Sequence, residues 1–172
     1  MGNFAFLKSH WEDLGNTGEL AENYVYSDPN TSMIKQGMFA ERLVKYMLAY
    51  DGIAEPDYDN THAKRLSLLR QNDLLPKDID NTLYVIRKMR NDAAHSGDDN
   101  LERAKDNLRL TFHLGTWFMQ TYGDYTYEPK PYVEPVDMVF KAEVLEKENR
   151  ELEAKYAALE AEIEIIRKNG GT

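Results

Sequence analysis

From Phe4 to Tyr26 the apolar residues Phe4, Leu7, Trp11, Leu14, Leu20 and Tyr24 fall at helical spacing. The run Gly15-Asn16-Thr17-Gly18 interrupts them with a composition that favours a turn, so the pattern predicts two short helices. Ser27-Asp28-Pro29 then supplies a capping oxygen followed by a proline that needs no backbone donor in a first helical turn. The helix starting there is expected to reach Tyr50 and end near Asp51-Gly52. It carries two apolar rows, Met33, Gly37, Ala40, Val44 and Met47 on one side and Phe39, Leu43, Tyr46 and Tyr50 on the other, which predicts a central position. Residues 52–62 read as a loop, and Lys64 to Asn72 as a short helix closed off before Pro76.

The next helix is predicted from about Asp78 to Ala94, with a core stripe of Ile79, Leu83, Ile86 and Ala93 flanked by Met89, and it stops at His95-Ser96-Gly97. Asp98 or Asp99 can cap its successor, whose Leu101, Ala104, Leu108, Phe112, Gly115 and Phe118 carry the pattern to about Tyr122. A bundle over residues 1–122 is therefore expected. Pro129, Pro131 and Pro135 among tyrosines and acids make 123–135 read as a semi-rigid extended linker.

Residues 136–168 carry a heptad pattern. Met138, Leu145, Leu152, Leu159 and Ile166 recur every seven residues, which as d positions makes Ala142, Asn149, Tyr156 and Ile163 the a positions. In a parallel dimer the g-to-e′ pairs are Lys141–Glu146, Glu148–Glu153, Lys155–Glu160 and Glu162–Arg167; one pair, Glu148–Glu153, is like-charged and the rest attract. An asparagine at a single a position trades stability for two-stranded register. The expectation is a coiled-coil helix that forms a homodimer; the alternative is a single solvated helix held by i,i+4 pairs such as Glu151–Lys155. The fold class is thus all-α: an antiparallel helical bundle, a Pro-containing linker and a C-terminal coiled-coil helix.

Charge and composition narrow the partners. A formal net charge of −9 argues against a broad electropositive groove for duplex nucleic acid, so any nucleic-acid role rests on a local site. The absence of cysteine removes disulfides, thiolate metal sites and a cysteine nucleophile. Met1 to Lys8 lacks the apolar core of a secretion signal and no run reaches the roughly 18 apolar residues of a membrane span, so a cytoplasmic protein without a membrane partner is expected. His10, His62 and His113 are scattered without metal-ligand spacing and read as surface or hydrogen-bonded core residues; no metal or cofactor is expected. Trp11 and Trp117 read as core.

One constellation bears chemistry. On a regular helix Arg90 lies about 20° from Ile79, in the middle of the apolar stripe. A guanidinium there must reach a carboxylate, line a solvent cleft or receive an anion, because burying it unpaired costs several kcal/mol. His95 is roughly 140° further around, whereas Arg87, Asn91 and His95 follow one another along one face, so Arg90 and His95 converge only if the helix ends between them. A purely structural arrangement is also available, with Arg90 paired to Glu41 and His95 bonded at the helix end.

Arg90-Asn91-Asp92-Ala93-Ala94-His95 resembles the signature of the HEPN clan: an arginine, a polar residue and a histidine a few positions on. Asn3-Phe4-Ala5-Phe6-Leu7, Glu22, Tyr26-Ser27-Asp28-Pro29, Ala40-Glu41 and His95-Ser96 resemble more specifically the branch at the N-terminus of type I restriction R-subunits and related helicases. The resemblance implies an all-α bundle that dimerises with two motifs facing one cleft and, in active members, metal-independent RNA cleavage. Carried over, His95 would assist proton transfer, Arg90 would stabilise charge on the scissile phosphate and Asn91 would orient groups around it. Two functions follow as expectations. One is a dimerisation and interaction module of a restriction- or phage-defence-type helicase protein, with further domains or subunits of that complex, RNA or another nucleic acid as partners. The other is an endoribonuclease using Arg90, Asn91 and His95.

Overall fold

The computed structural model describes residues 2–170, and the regular elements among them are helical, with no strand. A 3₁₀ turn at Ala5–Ser9 precedes α1 (Glu12–Tyr24), α2 (Pro29–Tyr50), α3 (His62–Gln71), α4 (Lys77–Ser96), α5 (Leu101–Phe118) and α6 (Met138–Gly170), with a π-helical turn at Met119–Gly123 extending α5. The chain divides into two compact units between Val133 and Glu134.

In the first unit α2 is central, packing against α1, α3, α4 and α5. Its N-terminus forms as the sequence suggests: Asp28 Oδ1 accepts from the Thr31 backbone N–H at 3.1 Å, with Pro29 in the first turn. Met33, Phe39, Leu43, Val44 and Met47 of α2 are fully buried among Phe4, Leu14, Leu83, Leu108 and Phe118. The polar residues admitted to this core are satisfied. Gln36 donates to Ala104 O at 3.0 Å and to Ser32 Oγ at 3.2 Å, and it accepts from the Thr111 hydroxyl at 3.2 Å. Tyr46 and Tyr50 sit at the edge of the second apolar row, where Tyr46 donates to Asp13 at 2.6 Å and Tyr50 accepts from the Trp11 indole at 2.8 Å.

The first segment differs from expectation. Helix α1 runs without a break through Gly15-Asn16-Thr17-Gly18, and the change of direction comes at His10-Trp11 instead. These glycines serve close packing rather than a turn. A Cβ on Gly18 would overlap the Phe4 ring, and one on Gly15 would lie 2.6 Å from Lys8 Cγ, so the 3₁₀ turn lies directly across α1. Asn3 fastens that crossing: its backbone N–H donates to Glu22 Oε2 at 3.0 Å and its side-chain amide to Oε1 at 3.2 Å.

Residues 124–133, within the stretch that reads as an extended linker, belong to the first unit, and their tyrosines pack against its core. The Tyr127 ring stacks on Phe6 at 5.1 Å and Tyr132 packs on Phe112 at 5.2 Å. Asn3 exchanges two hydrogen bonds with the Val133 backbone, at 2.7 and 2.9 Å. Pro129 and Pro131 exclude helix here, and the flanking Tyr127 and Tyr132 supply the surface that holds the segment down. The second unit consists of residues 134–137 and α6, a helix of 33 residues none of which is buried.

Candidate functional site

Helix α4 carries Arg90, Asn91 and His95, and its stripe of Ile79, Leu83, Ile86, Met89 and Ala93 is buried as the spacing predicts. The helix continues through His95 to Ser96 and is closed by Gly97 in the left-handed region (φ 67°). The closing turn is anchored from two sides. Asn30 donates to Ala93 O at 2.8 Å and Asp98 O at 2.9 Å, while Arg103 pairs with Asp92 at 2.9 Å and Asp98 at 2.6 Å. The Asp98 carboxyl is held below the usual carboxylate range, first by the Asn100 backbone N–H and then by the Arg103 guanidinium.

Arg90 lies where α4 crosses α2. A Cβ on Gly37 would overlap the Cγ of Arg90, so the aliphatic stem is laid directly on the α2 backbone and carries its charged head past the apolar stripe. That head is loosely held. Glu41 is the facing acid, with Nη2 to Oε1 at 4.0 Å and both side chains about one-third exposed (34% and 33%). Nη1 donates to Asn91 Oδ1 at 3.4 Å, and the buried Nε–H has no acceptor.

The head opens into a cleft of about 350 Å³ between α2, α3 and α4. Glu41 contributes from α2, Thr61 and His62 from the start of α3, and Arg87, Arg90 and Asn91 from α4, with Ala40 and Ile86 in the wall. Thr61 caps α3, its hydroxyl oxygen accepting from the Lys64 backbone N–H at 3.2 Å, and this cap sets His62 in the first turn, at the cleft. His62 Nδ1 is buried without a partner. Burial, and then the positive charges of Arg87, Arg65 and Arg90, depress its pKa to about 4, so the imidazole is neutral at pH 7.

The structure therefore brings Arg90 and Asn91 together and leaves His95 apart. His95 is exposed in the last turn of α4 and does not line the cleft, and because the helix is unbroken between Arg90 and His95 the two do not converge within one chain. Histidine enters the cleft at His62 instead. Its local signal was the Thr61 cap, but its position opposite Arg87 and Arg90 depends on how α3 docks on α2, which no periodicity encodes. Among the described residues no group of three or more His, Asp or Glu is placed to hold a metal ion. Chemically the cleft offers two guanidinium groups, one carboxylate, an amide, a hydroxyl and a neutral imidazole.

These features define a helical module with a local cationic cleft in an acidic chain. The family model described as "Domain of unknown function (DUF4145)" matches residues 19–169, and the chain belongs to that family. It is 32% identical over 181 aligned positions to the type I restriction enzyme EcoKI endonuclease subunit of Escherichia coli (strain K12). That alignment covers 98% of this chain and 15% of the length of the relative. No solved structure matches. No described helix is long and apolar enough to cross a membrane.

Proposed function

We propose that this chain is a HEPN-like interaction module from the N-terminal region of a restriction- or defence-type helicase protein, and that it pairs with a second copy through a parallel coiled coil of α6. The observation that carries this reading is α6 itself. It leaves Leu145, Leu152, Tyr156, Leu159, Ile163 and Ile166 exposed at heptad spacing, on a helix with no buried residue. A two-stranded seam is the arrangement in which a and d residues of this kind lose their water. Similarity to a restriction endonuclease subunit many times longer supports a module that works with further domains or subunits. Light scattering on the full chain tests the pairing: a species of twice 19.9 kDa is expected, and a monomer that persists across concentrations overturns it.

The second reading is metal-independent RNA cleavage, and the presence of Arg90 and Asn91 in one cleft favours it. Because His95 lies outside that cleft, this reading requires the His95 of a second copy to meet it. His95→Ala is then expected to abolish cleavage of structured RNA in the presence of a chelator, with the wild-type products ending in 2′,3′-cyclic phosphate. Failure of the wild-type dimer to cut such RNA sinks it.

A further inference from the structure

We infer that the cleft between α2, α3 and α4 is a binding site for a small phosphate monoester, with the phosphate held by Arg87 and Arg90 and the remainder of the ligand against the exposed side chains of Thr61 and Ala63. The inference is independent of pairing through α6. It begins from the unmet hydrogen-bonding capacity of the cleft. The Nε–H of Arg90 is buried with no acceptor, Nη2 faces a carboxylate only at 4.0 Å, and Nη1 makes one long bond to Asn91. A guanidinium presents five donors, and leaving a buried one unmatched costs more than a net hydrogen bond contributes. Glu41 is close enough to lower that cost and too far to satisfy the fork.

The second observation comes from a different helix. His62 Nδ1 is also buried without a partner, at the same cleft and within the field of the arginines. The neutral imidazole can present an N–H there, adding an uncharged donor beside the cationic ones. Counting the lining groups, Arg87 and Arg90 against Glu41 leave one net positive charge in a chain of net charge −9. Arg65, nearby, is already engaged by Glu55.

Size and chemistry select the ligand class. A cleft of about 350 Å³ is larger than an inorganic anion needs and falls at the lower end of the range for small-molecule sites, roughly 300–1,000 Å³. Phosphate matches convergent guanidinium forks because it presents several oxygens at once. A phosphate carried on a small organic group uses both the charged corner and the exposed Thr61 and Ala63 side of the cleft.

The test uses the full chain and follows the His62 ring resonances by NMR while inorganic phosphate, and separately glycerol 3-phosphate, is added at constant ionic strength. Saturable shifts of His62 are expected with both, tighter with the ester, and absent with chloride. Arg87→Gln, at an exposed position, is expected to weaken binding roughly tenfold or more while leaving the fold intact. Ala63→Phe, which fills the cleft mouth without altering charge, is expected to weaken the ester more than inorganic phosphate. Equal responses to chloride and phosphate, or full affinity in Arg87→Gln, overturn the site. Equal affinity for ester and inorganic phosphate, with Ala63→Phe unaffected, overturns the monoester assignment. Light scattering on the same samples keeps either result separate from association through α6.

Discussion

Helix α4 buries its apolar stripe inside the bundle, whereas the comparable stripe of α6 stays in water. Leu83 of α4 is 0% exposed, while Leu145, Leu152 and Leu159 of α6 are 49%, 53% and 51% exposed. Both stripes are amphipathic and alternate steps of four and three residues: Ile79, Leu83, Ile86, Arg90 and Ala93 in α4, and Leu145, Asn149, Leu152, Tyr156 and Leu159 in α6. What differs is length and neighbours: the α4 stripe ends with a 20-residue helix that packs against α2 and α5, whereas the α6 stripe runs along a 33-residue helix with no buried residue. The contrast teaches that a stripe announces that a face seeks burial, while the neighbours set against it decide whether one chain supplies that burial.

The strongest way to test that contrast is at α4. Leu83→Ala removes a fully buried side chain from a core closed on all sides and is expected to destabilise the first unit by about 2–5 kcal/mol, read from denaturant unfolding. A loss below about 1 kcal/mol would mean that the α4 stripe is as dispensable to the bundle as a surface row. The next largest effect lies at the cleft and depends on pH. His62 binds its proton near pH 6.5 when unfolded and only near pH 4 when folded, so the unfolded chain carries the extra proton between these values. Stability is therefore complete above about pH 6.5 and is lost as pH falls through about 4, by up to about 3 kcal/mol. Subtracting the pH profile of His62→Gln isolates this contribution, and superimposable profiles would show that the imidazole is not buried against the arginines.

How far the chain could be read in advance follows from the same distinction. Stripe residues such as Leu83 and Met47, the Asp28-Pro29 start and the Gly97 stop are local signals, each decided within a turn or two of helix, and they appear where the pattern puts them. Gly15 and Gly18 misled because glycine has two uses, as a turn former and as space for a neighbour. Only the position of Phe4 across α1 distinguishes them. At residues 124–133 the prolines specify an extended backbone but not whether the tyrosines flanking them find a surface, and here Phe6 and Phe112 provide one. At the site, Arg90 and its facing Glu41 were legible because helical phase alone sets Arg90 on the buried side. His62 was not legible, since it reaches the cleft only through the docking of α3. Asn3 and Glu22 have a physical role that sequence did not disclose: they clamp the N-terminal segment to α1.

A smaller effect is expected from Arg90, where an intermediate environment joins the two extremes. A buried and well-formed ion pair loses about 3–5 kcal/mol when one partner is removed, but Arg90 and Glu41 are 4.0 Å apart and each about one-third exposed. Solvent screening places such a pair near the surface limit, so Arg90→Met, which keeps the stem against Gly37, is expected to change unfolding stability by no more than about 1 kcal/mol. A loss of several kcal/mol would mean that Glu41 is stranded by the substitution and that the pair, not the stem, holds α4 to α2.

The smallest effect on the bundle, and the sharpest on assembly, is expected from α6. Leu152 is about half exposed in the single chain, so Leu152→Lys removes nothing from the core and should leave the unfolding free energy of residues 2–133 within about 0.5 kcal/mol of wild type. At a d position of a parallel seam the same lysine must be desolvated against its counterpart, two like charges at the centre of the interface, and pairing should fail. Asn149→Leu acts in the opposite sense, exchanging the polar register device for apolar contact, so association should tighten while its stoichiometry becomes less defined. Light scattering reads assembly and denaturant unfolding reads the bundle, and the two need to be measured on the same variants. If Leu152→Lys leaves the mass unchanged, the seam is misplaced or absent. If it also destabilises the bundle, the α6 stripe belongs to the intramolecular core and the contrast with α4 collapses.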